Sequence, residues 1–143
     1  MGFTMTDKKL QLKYRIWIEL DNDEKKKEER RKGRKKKDTT RFIVGLGVAR
    51  LLSAIKETSS LTDAAKKVGY SYKYAWDRTQ KLKERLGADA VNASKGGKGG
   101  GGEMVLTNEG EEILKMYQFW DDFLEKCMEK KDEILKSGIL DED

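Results

Sequence analysis

Apolar and polar positions alternate strictly over residues 10–20, "LQLKYRIWIEL". Leu10, Leu12, Tyr14, Ile16, Ile18 and Leu20 fall on one side, and Gln11, Lys13, Arg15, Trp17 and Glu19 on the other. That period of two predicts a half-buried strand. Residues 21–40, "DNDEKKKEERRKGRKKKDTT", hold no apolar side chain and are too charged to pack, so they are expected to form a solvated arm. "RFIVGLG", at 41–47, is short, rich in β-formers and closed by glycine, and is expected to return as the second strand of a hairpin with an oversized loop.

The period then switches. In "VARLLSAIKET", Val48, Leu51, Leu52 and Ile55 stand at i, i+3, i+4 and i+7, the stripe of an amphipathic helix. A shorter helix follows: Ser60 is placed to cap it with Asp63 three residues on, Leu61, Ala64, Ala65 and Val68 form its buried side, and Gly69 stops it. A third helix starts from a Ser71 cap, with Ala75, Thr79, Leu82 and Leu86 inward and Gly87 as terminator. Two helices joined by a tight turn, with small alanines at the crossing, predict a helix-turn-helix.

"ADAVNAS", a glycine run and "EMVLT" read as a two-stranded hairpin, and the last helix is expected over 108–136, with Thr107 or Asn108 as its cap and Glu109, Glu111 and Glu112 at the positive end of its dipole. One apolar stripe of this helix runs through Ile113, Tyr117, Trp120, Leu124 and Cys127, and a neighbouring one through Met116, Phe119 and Phe123. That is more apolar surface than a small domain covers, so Met116, Tyr117, Phe119, Trp120, Phe123 and Leu124 are expected to pair the chain with a second copy.

The predicted class is mainly α with small β (α+β), a winged helix-turn-helix with an N-terminal β-hairpin and a long C-terminal dimerisation helix. Its parts are a tail (1–9), the winged unit (10–107) interrupted by the basic arm (21–40), the dimerisation helix (108–136) and an acidic tail (137–143).

Composition narrows the function. The net charge of +5 is concentrated: residues 24–41 carry eleven Lys and Arg against four Asp and Glu, +7 in one segment, which leaves −2 for the rest. A lysine-rich insertion of this kind either adds nonspecific phosphate contacts or only aids solubility. The chain has no histidine and a single cysteine, Cys127, so neither an internal disulfide nor a structural zinc site is expected, and the commonest general base is missing. No cofactor is expected. The chain shows neither a membrane-length apolar run nor a secretory leader, which predicts a cytoplasmic, nucleoid-associated protein that does not engage membranes.

Residues 95–102, "KGGKGGGG", need something outside the chain to order them, because each glycine loses much backbone freedom on ordering. A phosphate cradle of an enzyme is one reading. Its pattern fails, since a P-loop requires GxxxxGK followed by Ser or Thr at the head of a helix, whereas four glycines and Glu103 follow Lys98. The tip of a wing lying on a DNA backbone is the other reading, and an interaction module that uses the same fold on a protein partner is a third.

"LLSAIKETSSLTDAAKKVGYSYKYAWDRTQKLKERLG", the glycine run and "LTNEGEEIL" together resemble the amino-terminal DNA-binding domain of ModE-type molybdate-responsive transcription regulators, which share this winged helix with LysR-type regulators. The most specific pieces are "SYKYAW" and "GGKGGGG" followed by "LT..G", and the resemblance runs from about Leu10 to Tyr117. It implies a regulator that binds double-stranded DNA as a homodimer, either sequence-specifically or as a chromatin-like factor. The inserted arm departs from the family pattern. Molybdate or other oxyanion sensing is not implied, because the molybdate-binding domains have no counterpart in these residues.

On a recognition helix lying in the major groove, Tyr72, Lys73, Trp76, Asp77 and Gln80 are expected outward, with Arg78 and Lys81 flanking toward phosphates. Ser71, Ser60 and Thr62 sit at helix starts, where hydroxyls and amides meet phosphate. Lys95 and Lys98 belong to the wing tip. Each position has a duller counterpart: Trp76 could be core, and Lys73 and Arg78 solvated surface charge.

Overall fold

The computed structural model describes residues 4, 5, 8, 9, 13–21, 42–94, 103–131 and 133. Short strands β1 (Thr4–Met5) and β2 (Lys8–Lys9) pair antiparallel, as do β3 (Ile18–Glu19) and β4 (Phe42–Val44). Helices α1 (Leu46–Thr58), α2 (Leu61–Val68) and α3 (Tyr72–Leu86) follow, then the antiparallel hairpin of β5 (Val91–Ser94) and β6 (Glu103–Leu106), and finally α4 (Asn108–Glu129). A helix-turn-helix followed directly by a hairpin is a winged helix, so the expected class is met, while the β1–β2 pair falls in residues 1–9, expected as a tail.

Local chemistry sets most boundaries. Ser60 accepts from the Asp63 amide at 3.2 Å, Ser71 from Tyr74 at 3.2 Å and Thr107 from Gly110 at 3.1 Å, so each of the last three helices starts on a side-chain cap, worth about 1 kcal/mol apiece. Gly69 (φ 79°) and Gly87 (φ 73°) close α2 and α3 in the left-handed region that glycine enters at low cost.

The core has two lobes, and α1 supplies both. Ala49 and Leu52 pack with Ile43, Val44, Leu82, Ala90, Leu114 and Tyr117, while Leu51, Ala54 and Ile55 pack with Leu61, Ala64, Ala65, Ala75 and Met104. A helix buried on two sides must be the centre of a small domain, and the other helices and the wing are laid around it.

Three further expectations change. The first strand was expected over 10–20, yet only Ile18 and Glu19 enter the ladder, with a register shift between them; residues 10–12 lie outside the described residues. Burial alternates only from Arg15 on, with Ile16, Ile18 and Leu20 packed on the core and Arg15, Trp17 and Glu19 exposed, whereas Tyr14, expected on the buried side, is exposed with its hydroxyl on the Asp121 carbonyl. The ladder is short because its partner is: "GLG" was read as the end of a strand, but Gly45 is the extended N-cap of α1 and its carbonyl takes the Ala49 amide at 2.9 Å.

The third change concerns Tyr117, expected at a dimer surface. It is 4% exposed within its own core, because the inward line of α4 passes through Gly110, Leu114 and Tyr117. Met116, Phe119, Trp120 and Phe123 are thereby left outside, and Leu124 is half-buried. The expected last turn of that helix, 134–136, lies outside the described residues, as does nearly all of the basic arm, 22–40.

Candidate nucleic-acid interface

The turn between α2 and α3 is three residues long, Gly69, Tyr70 and Ser71, and the Tyr70 amide is held by the Ala65 carbonyl at 2.8 Å. Ala64, Ala65 and Ala75 are all but fully buried where the two helices meet. Having only methyl groups there lets the backbones approach, which fixes how α3 is presented. Thr79, the one polar residue on the inner face, satisfies its hydroxyl on the Trp76 carbonyl at 2.7 Å.

The outer side of α3 carries Tyr72, Lys73, Trp76, Asp77 and Lys81, all exposed, while Gln80 is half-buried. Trp76 is 40% exposed, which removes the reading of it as a core residue. Neither Lys73 nor Lys81 has an ion-pair partner among the described residues, whereas Lys83 is paired with Asp89 at 2.8 Å and Lys67 with Glu57. Ser60 and Ser71 act as caps with their oxygens as acceptors, so each hydroxyl proton stays available for a further acceptor. Thr62 is exposed on the first turn of α2.

Arg78 is half-buried on a flank of α3. Its guanidinium lies 4.7 Å from the Tyr74 ring centroid, and its buried Nε has no hydrogen-bond partner among the described residues. Tyr74, which the sequence reading did not assign to the site, meets Tyr70 edge-on at 4.9 Å. The spacing of Tyr74 and Arg78 at i and i+4 was the available signal, since it places both on one flank of α3.

The base of the wing is tied to the helical part. The Met104 amide donates to the Ser59 carbonyl at 2.9 Å, and the four-pair ladder runs from Val91 opposite Leu106 to Ser94 opposite Glu103. Lys95 and Lys98 lie outside the described residues. On α4, the rings of Phe119, Trp120 and Phe123 stand 5.4 to 6.4 Å apart in a cluster on the outside of the molecule. Among the described residues no group of acidic, cysteine or histidine side chains could hold a metal ion, and no helix is long and apolar enough to cross a membrane.

Molybdenum-pterin-binding protein MopB of Rhodobacter capsulatus is 49% identical to this chain over 67 residues, 47% of this chain and 24% of that protein. The transcriptional regulator ModE of Yersinia pestis is 37% identical over 90 residues, 63% of this chain and 32% of that protein. The chain thus spans about a quarter to a third of the length of these curated relatives, and over that part it is ModE-like, as its motifs led us to expect. No family model matches. Among solved structures, BenM_DBD with catB site 1 DNA overlaps 61% of this chain and 90% of its own at 21% identity, with a TM-score of 0.46. So loose an overlap carries no argument, and the winged-helix assignment rests on the element order itself.

Proposed function

We propose that this chain is a transcription regulator that binds duplex DNA as a homodimer, with α3 in the major groove and the β5–β6 wing along the backbone. The observation that carries the reading is the outer side of α3: a serine-capped helix, held on an alanine crossing, turns Tyr72, Lys73, Trp76 and Asp77 outward from its first turns, where base edges are read. The relatives named as ModE regulators support it. The cap hydroxyls of Ser60 and Ser71 and the exposed Thr62 serve as phosphate contacts at helix starts. Lys95 and Lys98 do the same at the wing tip, and the basic arm adds contacts without sequence preference.

The homodimer reading rests on Met116, Phe119, Trp120 and Phe123. Four large apolar side chains, each about half exposed on one helix, are covered when the same helix of a second copy lies against them. Two recognition helices would then stand about 34 Å apart, one duplex turn. Because the chain spans only part of the molybdenum-related relatives, oxyanion sensing is not carried over to it.

A gel-shift series against salt tests this reading. Duplex binding should weaken steeply as salt rises; Tyr72→Ala and Lys73→Ala should erode sequence preference by about 1–3 kcal/mol, and deletion of residues 22–40 should weaken binding to every sequence and flatten the salt slope. No binding to any duplex at low salt rejects it.

A further inference from the structure

A cavity of about 560 Å³ opens between the N-terminal segment, the β4–α1 corner, one flank of α3 and α4, a volume in the range that holds small organic ligands. We infer that it is a binding site for a small planar aromatic carboxylate. Its walls are rings: Tyr14, Trp17, Phe42, Tyr70 and Tyr74 all line it, and stacked or edge contacts with a flat apolar body are what such walls supply.

Its polar features call for an anion. The first turn of α1 faces the cavity with Gly45, Leu46, Gly47 and Val48. That helix has no side-chain cap and no acidic residue in its first turn, and its first intrahelical amide bond is the one from Ala49 to Gly45. The amides before Ala49 therefore present uncompensated positive charge to the cavity. Arg78 lines the same space and brings a positive charge to it, its guanidinium lying 4.7 Å from the Tyr74 ring centroid. Arg15 also lines it; among the described residues Asp121 is the single lining carboxylate, and its backbone carbonyl takes the Tyr14 hydroxyl at 2.9 Å. The balance of side chains and helix dipole is positive.

Glycines at the start of α1 let the Phe42 and Tyr70 rings close on it. A methyl on Gly47 would stand 2.8 Å from the Tyr70 hydroxyl, and one on Gly45 would stand 2.9 Å from the Phe42 ring. A DNA phosphate would also answer the positive charge, but it needs no aromatic walls. The cavity lies, moreover, on the Tyr74–Arg78 flank of α3 and not on the side that carries Tyr72, Lys73 and Trp76. Since Tyr74 and Arg78 belong to α3, occupancy braces that helix; binding itself does not depend on the DNA reading and is measured without DNA.

The test is calorimetric titration of the full chain with 2-naphthoate, its neutral isostere 2-naphthamide, and inorganic phosphate. Naphthoate should bind once per chain and about tenfold tighter than naphthamide, the margin of one charge-assisted hydrogen bond. Arg78→Met should remove that margin and Arg78→Lys should keep part of it. Leu46→Trp, which fills the cavity from a position already 47% exposed, should abolish binding and decides the matter if the Arg78 variants fail to fold. The inference is overturned if acid and amide bind equally or neither binds, if phosphate binds as well as naphthoate, or if Arg78→Met weakens DNA binding while leaving naphthoate unaffected.

Discussion

Gly110 lies so close to Ala90 that a methyl on its Cα would come within 2.1 Å of the Ala90 carbonyl oxygen. The same carbonyl accepts the Thr107 amide at 3.0 Å, while the Thr107 hydroxyl donates to the Asp89 carbonyl at 2.6 Å and accepts from Gly110. Thr107 and Gly110, the "LT..G" of the sequence, form the clasp that seats the start of α4 on the strand entering the wing. Gly110→Ala should therefore push the two backbones apart and cost about 1–3 kcal/mol, read as a lower urea midpoint with an unchanged slope. Unaltered stability would mean the contact is slack.

Ala75 is fully buried at the crossing of α2 and α3. Ala75→Leu forces extra methylenes between two backbones and should also lose about 1–3 kcal/mol, whereas Ala93→Leu, at an exposed position of β5, should stay within about 0.5 kcal/mol of the parent. Thermal unfolding of both variants separates a tight crossing from a general intolerance of larger side chains.

Neighbouring turns of α4 should answer differently to truncation. Phe119 and Trp120 are 61% and 52% exposed, so changing both to serine should leave each chain folded and shift sedimentation equilibrium from dimer to monomer. Tyr117→Ala opens the core and should cost about 3–5 kcal/mol. A parent chain that sediments as a monomer at all concentrations would remove the dimer reading.

Burial, and secondarily the charge of Asp121, raises the Tyr117 hydroxyl above the ordinary tyrosine value of 10.0, with Arg50 opposing. A folded-state value above the unfolded one means that the native chain holds its proton longer, so this contribution is whole below pH 10.0 and is lost as pH climbs through the raised value. Urea midpoints should fall on the alkaline side, and Tyr117→Phe should make that fall shallower. An identical alkaline decline in the variant would assign it to other groups, Tyr14 among them, which is raised as well.

Much of the fold was legible because its signals are local. The caps at Ser60, Ser71 and Thr107 each bind an amide three residues on, the stops at Gly69 and Gly87 need a left-handed turn, and the alternation over 15–20 persists in burial beyond the two residues that enter a ladder. The start of α1 was misread because "FIVGLG" satisfies strand propensity up to Val44, and nothing nearby announces that Gly45 will serve as an N-cap without a side-chain bond. Of the candidate site, the outward positions of α3 followed from helical phase. The packing of Arg78 on Tyr74, beside a cavity walled by residues far away in the chain, did not.

The chain's own order of residues settled where α2, α3 and α4 begin and where α2 and α3 end, that a helix-turn-helix precedes a hairpin, and which side of α3 faces away from the core, since each depends on spacing within a turn or two. It could not settle the phase of α4. Apolar residues run around so much of that helix that several rotations would bury a plausible stripe, and the choice fell to one long-range contact. Gly110 admits the Ala90 carbonyl, that contact turns Leu114 and Tyr117 inward, and Phe119, Trp120 and Phe123 are left to face outward.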